Sequence, residues 1–351
     1  MTARDGKNNA RKEAIRDLQK ASPGMSYLEA DKLLSADADG MSESDAIANG
    51  FDVKLNLEKL DFSLPWTTHR NVRVTADPFD DNVTDEYIAR LFAVMALSPQ
   101  HTFQLLTEHP ERLLSLLTRC DHGGTHTPGT DFRSAMAWAV SKANPDRIPR
   151  ASDDAEQRVF HDIAWPLPNV WTGVNVRDQS HAERLIPALL KTPAAVRYVC
   201  VNQPRGPIDL VGRLCRDCMR DMEAPQCAKC YDRWWIRPGR SNRIDWVITG
   251  GGTGPDARPL HLDWALSLRD QCVIADVPFL FTGWGDFASS GNPAKDQRYL
   301  VHYDGMFTPL GGAATTKPGV GHLFAYRVGA ARAGRVLDGR TWDQYPDSAV
   351  Q

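Results

Sequence analysis

The chain has 351 residues, 42% of them apolar, enough to bury one large core or two ordinary ones. Its formal net charge of -3 excludes a surface that attracts nucleic acid as a whole, so any such contact must be local. No apolar run approaches the length of a membrane span, and the N-terminal MTARDGKNNARKEAIRDLQK lacks the apolar centre of a secretory signal, so a cytoplasmic protein without membrane contacts is expected.

Residues 1–50 are polar and mixed, with one short helical pattern, ARKEAIRDLQKA, that places Ile15 and Leu18 on one face. A regular alternation follows. Apolar, β-branched runs predict strands at 70–76, 101–107, 169–176, 196–202, 244–250 and 277–283. Helical patterns lie between most of them: TDEYIARLFAVMAL, PERLLSLLTRC, HAERLIPALLK and LDWALSLRDQCVIA. Strand, helix, strand at this spacing means parallel pairing through crossover helices, an α/β fold. Six such strands suit a doubly wound sheet or a full or partial β/α barrel, and spacing leaves the two open. In both, ligands bind at the C-terminal ends of the strands. That rule selects Thr75, Asp77, Asn175 and Asn202 together with Gly250, Gly251, Gly252 and Gly254 as the candidate cofactor pocket. The core spans 51–285, interrupted by insertions at 120–160 and 211–243, and a Gly-, Ala- and Pro-rich segment from 286 to 351 is expected to wrap the outside.

The sharpest motif is CRDCMRDMEAPQCAKC, which spaces Cys215, Cys218, Cys227 and Cys230 as two Cys-x2-Cys knuckles. Four thiolates form a closed tetrahedral site for a structural zinc, with no open position for catalysis. Unbound thiols in a surface loop and an electron-transfer iron centre are the alternatives. Around the knuckle, residues 211–243 hold eight basic side chains against four acidic ones. Arg233, Trp234, Trp235 and Arg237 form a candidate nucleic-acid contact, the guanidinium groups meeting phosphates and the rings stacking on bases. The same tryptophans could instead dock the insertion onto the core. ITGGGTGPDARP, between a strand and a helix, reads either as an anion or cofactor loop or as a tight turn; it has neither a Walker lysine nor a full dinucleotide fingerprint. CDHGGTH brings Cys120, His122 and His126 close in sequence, as a second metal site or as incidental histidines. Asp77, Asp178 and His109 suit acid–base work or the capping of the helices that follow.

Segments including GFDVKLNLEKLDFSLPW, WPLPNVWTGVNVRDQ, IDWVITGGGTGPDARPLHLDWALSLRDQC and VPFLFTGWGDF resemble, in order over roughly residues 50–345, an uncharacterised phage and bacterial family with three-cysteine motifs that is similar to radical S-adenosylmethionine enzymes. The resemblance implies a radical-SAM-like β/α barrel. Family members carry near the N-terminus a cysteine, six residues, a cysteine, two residues and a cysteine, followed by Tyr-Ala, to hold a four-iron cluster that binds and cleaves S-adenosylmethionine. Aligning Ser22-Pro23-Gly24 with the family's Ser-Pro-Gly puts Leu18, Met25 and Leu28 at the cysteine positions and Glu29 at the tyrosine, so no iron–sulfur cluster is expected. The motif is either overwritten in place or replaced by an unrelated helical N-terminus. Against the same pattern Glu108 and His109 replace Lys-Arg, Asn202 and Gly252 each replace a glutamate, and Thr282-Gly283 replace Lys-Gln. The expectation is a degenerate, zinc-containing barrel that binds a nucleic acid or a protein. The alternative is an enzyme that still uses S-adenosylmethionine or a nucleotide on a nucleic acid or nucleobase-like substrate.

Overall fold

The computed structural model describes residues 68–74, 77–119, 130–143, 154–210, 243–292, 294–310 and 319–346, and the backbone of 53–55. Seven strands form one parallel sheet in chain order: β1 (Val53–Leu55), β2 (Asn71–Val74), β3 (Thr102–Thr107), β4 (Val170–Asn175), β5 (Val196–Asn202), β6 (Trp246–Gly250) and β7 (Phe279–Phe281). Among the described residues five helices of nine residues or more accompany them: α1 (Asp85–Ala96), α2 (Pro110–Thr118), α3 (Thr130–Ser141), α4 (Gln179–Lys191) and α5 (Leu262–Ala275). All six expected strands are present. β1 is a seventh, a three-residue VKL too short to stand out as a β-pattern. Among the described residues no pairing joins β7 back to β1, so the sheet curls into a partial barrel. The zinc-knuckle part of the expected fold lies outside the described residues.

Both faces of this sheet are buried, which is why its strands read as near-continuous apolar runs. Alternate residues divide between the faces. On the outer face Val72, Val74, Phe103, Leu105 and Val170 pack with α1, and Val174, Val199, Val247 and Phe279 pack with α4 and α5. The inner, concave face is filled by Trp171, Tyr198, Cys200, Trp246, Ile248 and Leu280. Helix starts follow local chemistry: the Thr84 hydroxyl accepts from the Tyr87 amide at 3.3 Å, and Asp85 and Glu86 in the first turn complement the helix dipole.

The inner face is keyed by one residue pair. The Tyr198 ring lies against Gly173 so closely that a Cβ there would sit 2.5 Å from ring carbons. Its hydroxyl donates to the Leu105 carbonyl at 2.9 Å, tying β5 to β3 across the intervening β4.

The free edge of β7 is covered by the returning chain. The Phe281 amide donates to the Trp342 carbonyl at 2.9 Å, the Gln344 amide to the Phe279 carbonyl at 3.2 Å, and the Gln344 side-chain oxygen accepts from the Phe279 amide at 3.0 Å. An edge satisfied in this way cannot recruit another strand. Between β7 and this segment the chain forms a second sheet, antiparallel, from β8 (Phe287–Ala288), β9 (Gln297–His302), β10 (Phe307–Leu310) and β11 (His322–Arg327), in the order β10-β9-β11-β8. These strands lie in a Gly- and Pro-rich stretch with weak alternation.

Replacing Gly173 with alanine should destabilise the protein by about 1–3 kcal/mol through overpacking against Tyr198, read as a lower urea midpoint with an unchanged slope. A variant as stable as the parent would mean that the two strands admit a methyl group without strain.

Candidate functional site

Asn175, Asn202 and Gly250 are the last inward-facing residues of β4, β5 and β6, and Thr282 directly follows β7, so the register gathers three of the expected pocket residues on one rim. Asn202 pairs with Gly250, and Asn175 pairs with Cys200 one pleat below. The Asn175 side-chain oxygen is buried and, among the described residues, has no hydrogen-bond partner. Cys200, beneath the rim, is buried, and burial pushes its thiol up to about 11, opposed by the Arg73 charge. It is therefore a neutral thiol at physiological pH.

Asp77 stitches two strand ends together and does not point at a free pocket. One carboxylate oxygen accepts from the Thr107 hydroxyl at 2.9 Å and the Glu108 amide at 2.8 Å, the other from the Phe79 amide at 2.9 Å. Asp178 caps α4, accepting from the His181 amide at 2.9 Å; burial raises its carboxyl, but that amide and the His181 ring more than offset it and hold the carboxyl below its ordinary value. His109 stands at the start of α2 without a side-chain capping bond, and Glu108 pairs with Arg177 at 3.2 Å on the surface. Thr75, Cys120, His122, His126, the four knuckle cysteines, Arg233, Trp234, Trp235 and Arg237 lie outside the described residues. Among the described residues no group of three His, Cys, Asp or Glu is placed to hold a metal ion.

The glycine loop after β6 has a packing explanation. A Cβ on Gly250 would strike the Thr282 hydroxyl at 1.9 Å, one on Gly251 the Trp284 carbonyl at 2.2 Å, and one on Gly252 the Gln203 side chain at 2.2 Å. The loop after β7 thus lies directly against the loop after β6, and Gln203, in the left-handed region with φ 51°, closes over Gly252. Two amides suited to an anion are already engaged: Gly251 donates to the Gly283 carbonyl at 2.9 Å, and Gly254 donates to the Asp286 carboxylate at 3.1 Å. Asp286 also meets Arg327 of β11 at 3.2 Å. The chain itself supplies the carboxylate that a ligand would bring to this loop, so these glycines do not fit a free cradle for the carboxylate of S-adenosylmethionine.

Asp286 is one of several ties that place the antiparallel sheet at the C-terminal rim. Arg258 donates to the Gly305 carbonyl at 3.0 Å, and the Trp264 indole donates to the Tyr303 carbonyl at 2.9 Å. Gly305, at φ +98°, approaches the Arg205 carbonyl so closely that a Cβ would meet it at 1.8 Å. His261, buried at the start of α5, accepts from the Asp263 amide at 3.2 Å and lies against the rings of Trp264 and Tyr303. Sequence reading missed this second sheet as a neighbour of the site; the clustered glycines and aromatics at 283–307 were its only signal.

A cavity of about 700 Å³ lies at the opposite end of the strands, between Val196, Arg243, Asp245, Arg340, Gln344 and Tyr345. Val196 and Tyr345 also belong to the concave-face cluster, so the cavity abuts the inner face from below.

The family model described as Protein of unknown function (DUF5131) matches residues 13–346. No curated protein matches the chain. Among solved structures, a chitinase from Rhizomucor miehei aligns over 82% of this chain and 83% of its own at 11% identity, with a TM-score of 0.28, a value too low to carry an argument about fold or function.

Burial lowers the His261 imidazole below its ordinary pKa, the nearby Asp263 carboxylate opposing and His322 reinforcing the shift. A depressed folded-state pKa contributes stability that is present above the unfolded value, about 6.5, and is lost as pH falls through the folded value. Urea melts from pH 7 to 5 should therefore show falling stability, and His261→Asn, which keeps a capping oxygen, should flatten that fall. An equal slope in both proteins would remove His261 as its source.

Proposed function

We propose, for a chain that belongs to this family of unknown function (DUF5131), a binding role on a catalytically degenerate, radical-SAM-like barrel that carries a structural zinc. The observation that carries the reading is the inner rim: Asn175, Asn202 and Gly250 end three adjacent strands, Thr282 directly follows the fourth, and none of these residues carries a group that titrates near neutral pH. Carboxamides and hydroxyls at the end of a barrel hold a ligand by hydrogen bonds, whereas proton transfer needs a group poised to gain and lose a proton. The raised pKa of Cys200 argues in the same direction, since a cluster ligand or nucleophile must be a thiolate. The packed scaffold is kept where the resemblance leads one to expect catalytic polar groups at Asn202, Gly252 and Thr282. Function lives in such sites and not in the fold, so a barrel can outlast its chemistry.

In this proposal Cys215, Cys218, Cys227 and Cys230 hold the zinc, which orders the insertion and leaves no position for substrate. The insertion then presents Arg233, Trp234, Trp235 and Arg237 to a nucleic-acid partner. A protein partner is the alternative occupant of the same surface.

The test is the metal content of full-length protein purified without oxygen. About one zinc and no iron per chain is the expected result. Roughly three or more irons with matching sulfide, or thermal stabilisation by S-adenosylmethionine, would replace the binding reading with the enzymatic one. Retention of a single-stranded oligonucleotide should fall steeply with salt and drop when Arg233 and Arg237 are changed to alanine. Salt-insensitive or absent retention would leave the protein partner.

A further inference from the structure

We infer that the floor of the concave face recognises an uncharged planar ligand bearing a hydrogen-bond donor beside an acceptor, as on the edge of a nucleobase, through the carboxamide of Gln104. In the run TFQLLT, Phe103 and Leu105 go to the outer face against α1, which turns Gln104 inward, in register with Arg73 of β2 and Trp171 of β4. Gln104 is 0% exposed, and among the described residues neither its amide nitrogen nor its carbonyl oxygen has a hydrogen-bond partner. A complete buried amide left unpaired opposes folding, and a methionine of the same shape would not carry that cost.

Two other enclosed amides of this protein are satisfied. Gln271, 6% exposed, accepts from the Leu210 amide at 2.7 Å and donates to the Ile208 carbonyl at 3.1 Å. The Asn169 amide reaches three carbonyls, those of Met95, Ser98 and His101. The Asn175 oxygen is also unpaired, but in Gln104 both the nitrogen and the oxygen are buried without a partner among the described residues, on the face that carries the large aromatic rings. Trp171 and Tyr198 flank Trp246 with ring centroids 5.8 and 5.9 Å away, on the same face. The Tyr198 hydroxyl gives its only proton to the Leu105 carbonyl, so it has none to donate to the Gln104 oxygen.

A carboxamide offers N–H and C=O in one plane, the geometry that pairs in bidentate fashion with an amidine or lactam edge. Donor and acceptor are both required, which selects a neutral heterocycle over a phosphate or a carboxylate. The inference goes beyond the binding role proposed above and holds whether or not the barrel also does chemistry.

The experiment is calorimetric titration of the full-length protein with adenosine, cytidine, guanosine and uridine, with 3-methyluridine, whose donor is blocked, and with a short single-stranded oligonucleotide. The proteins compared are the parent, Gln104→Met and Gln104→Glu. At least one nucleoside or the oligonucleotide should bind the parent and bind both variants about ten- to a hundredfold more weakly. If uridine is the ligand, 3-methyluridine should lose a similar factor on the unaltered parent, a comparison that stands even if a variant fails to fold. Binding of free nucleosides would identify a small-molecule site, and binding of the oligonucleotide alone a base taken out of a strand. Equal binding by parent and variants would overturn the inference. So would a Gln104→Met protein more stable than the parent combined with a parent that binds nothing in the panel, because Gln104 would then be only a costly core residue. An iron-containing protein would sink the binding role proposed above and leave the Gln104 result standing.

Discussion

The Tyr198 ring over Gly173 is the contact on which the inner side of this barrel depends. A parallel sheet must bury both faces, and a sheet that does not close on itself has a concave side that only large side chains can fill. Tyr198, with Trp171 and Trp246, does this, and the absence of a side chain at Gly173 is what lets the ring lie flat enough for its hydroxyl to reach the Leu105 carbonyl. Polar groups are thereby pushed to the strand ends, which makes the rim of Asn175, Asn202 and Thr282 the natural place for recognition. The same filling makes Gln104 conspicuous, a polar group where the packing calls for an apolar one.

The loops at the rim are organised by close backbone approach. Gly250, Gly251 and Gly252 after β6 meet the chain from Thr282 to Gly285 after β7 at distances that exclude a Cβ, and Asp286 closes the junction by accepting from Gly254 and facing Arg327. A glycine cluster between a strand and a helix therefore serves here as a joint between neighbouring loops. The antiparallel sheet uses that joint as its foundation: Asp286 reaches β11, Arg258 holds Gly305, and Trp264 holds Tyr303. The returning segment at 342–344 then satisfies the β7 edge, so the half-open sheet needs no second half-barrel to be stable.

Much of this was legible in the sequence. β-branched runs separated by amphipathic helical patterns determined six of the seven strands and helices α1, α2, α4 and α5, because burial on two faces and periodicity are properties of single segments. The rule that sites gather at the C-terminal ends of parallel strands put Asn175, Asn202 and Gly250 on one rim before their register was known. The helix start at Asp178 was legible in part, as one of two readings, because capping is a local bond between a side chain and an amide three residues on.

What only the tertiary structure decided depends on residues far apart in the chain. Whether Asp77 was a cap, a base or a stitch turned on Thr107 and Glu108, thirty positions away. Whether the glycine loop was a cradle or a joint turned on where the β7 loop and Asp286 came to rest. That the sheet stays a partial barrel turned on the C-terminal segment reaching β7, and that Gln104 is left without a partner among the described residues turned on which neighbours the register gave it. Sequence determines what each segment must bury, since that is written in its own period; which polar groups meet, and which are left unpaired, is settled only when the register and loop contacts are fixed.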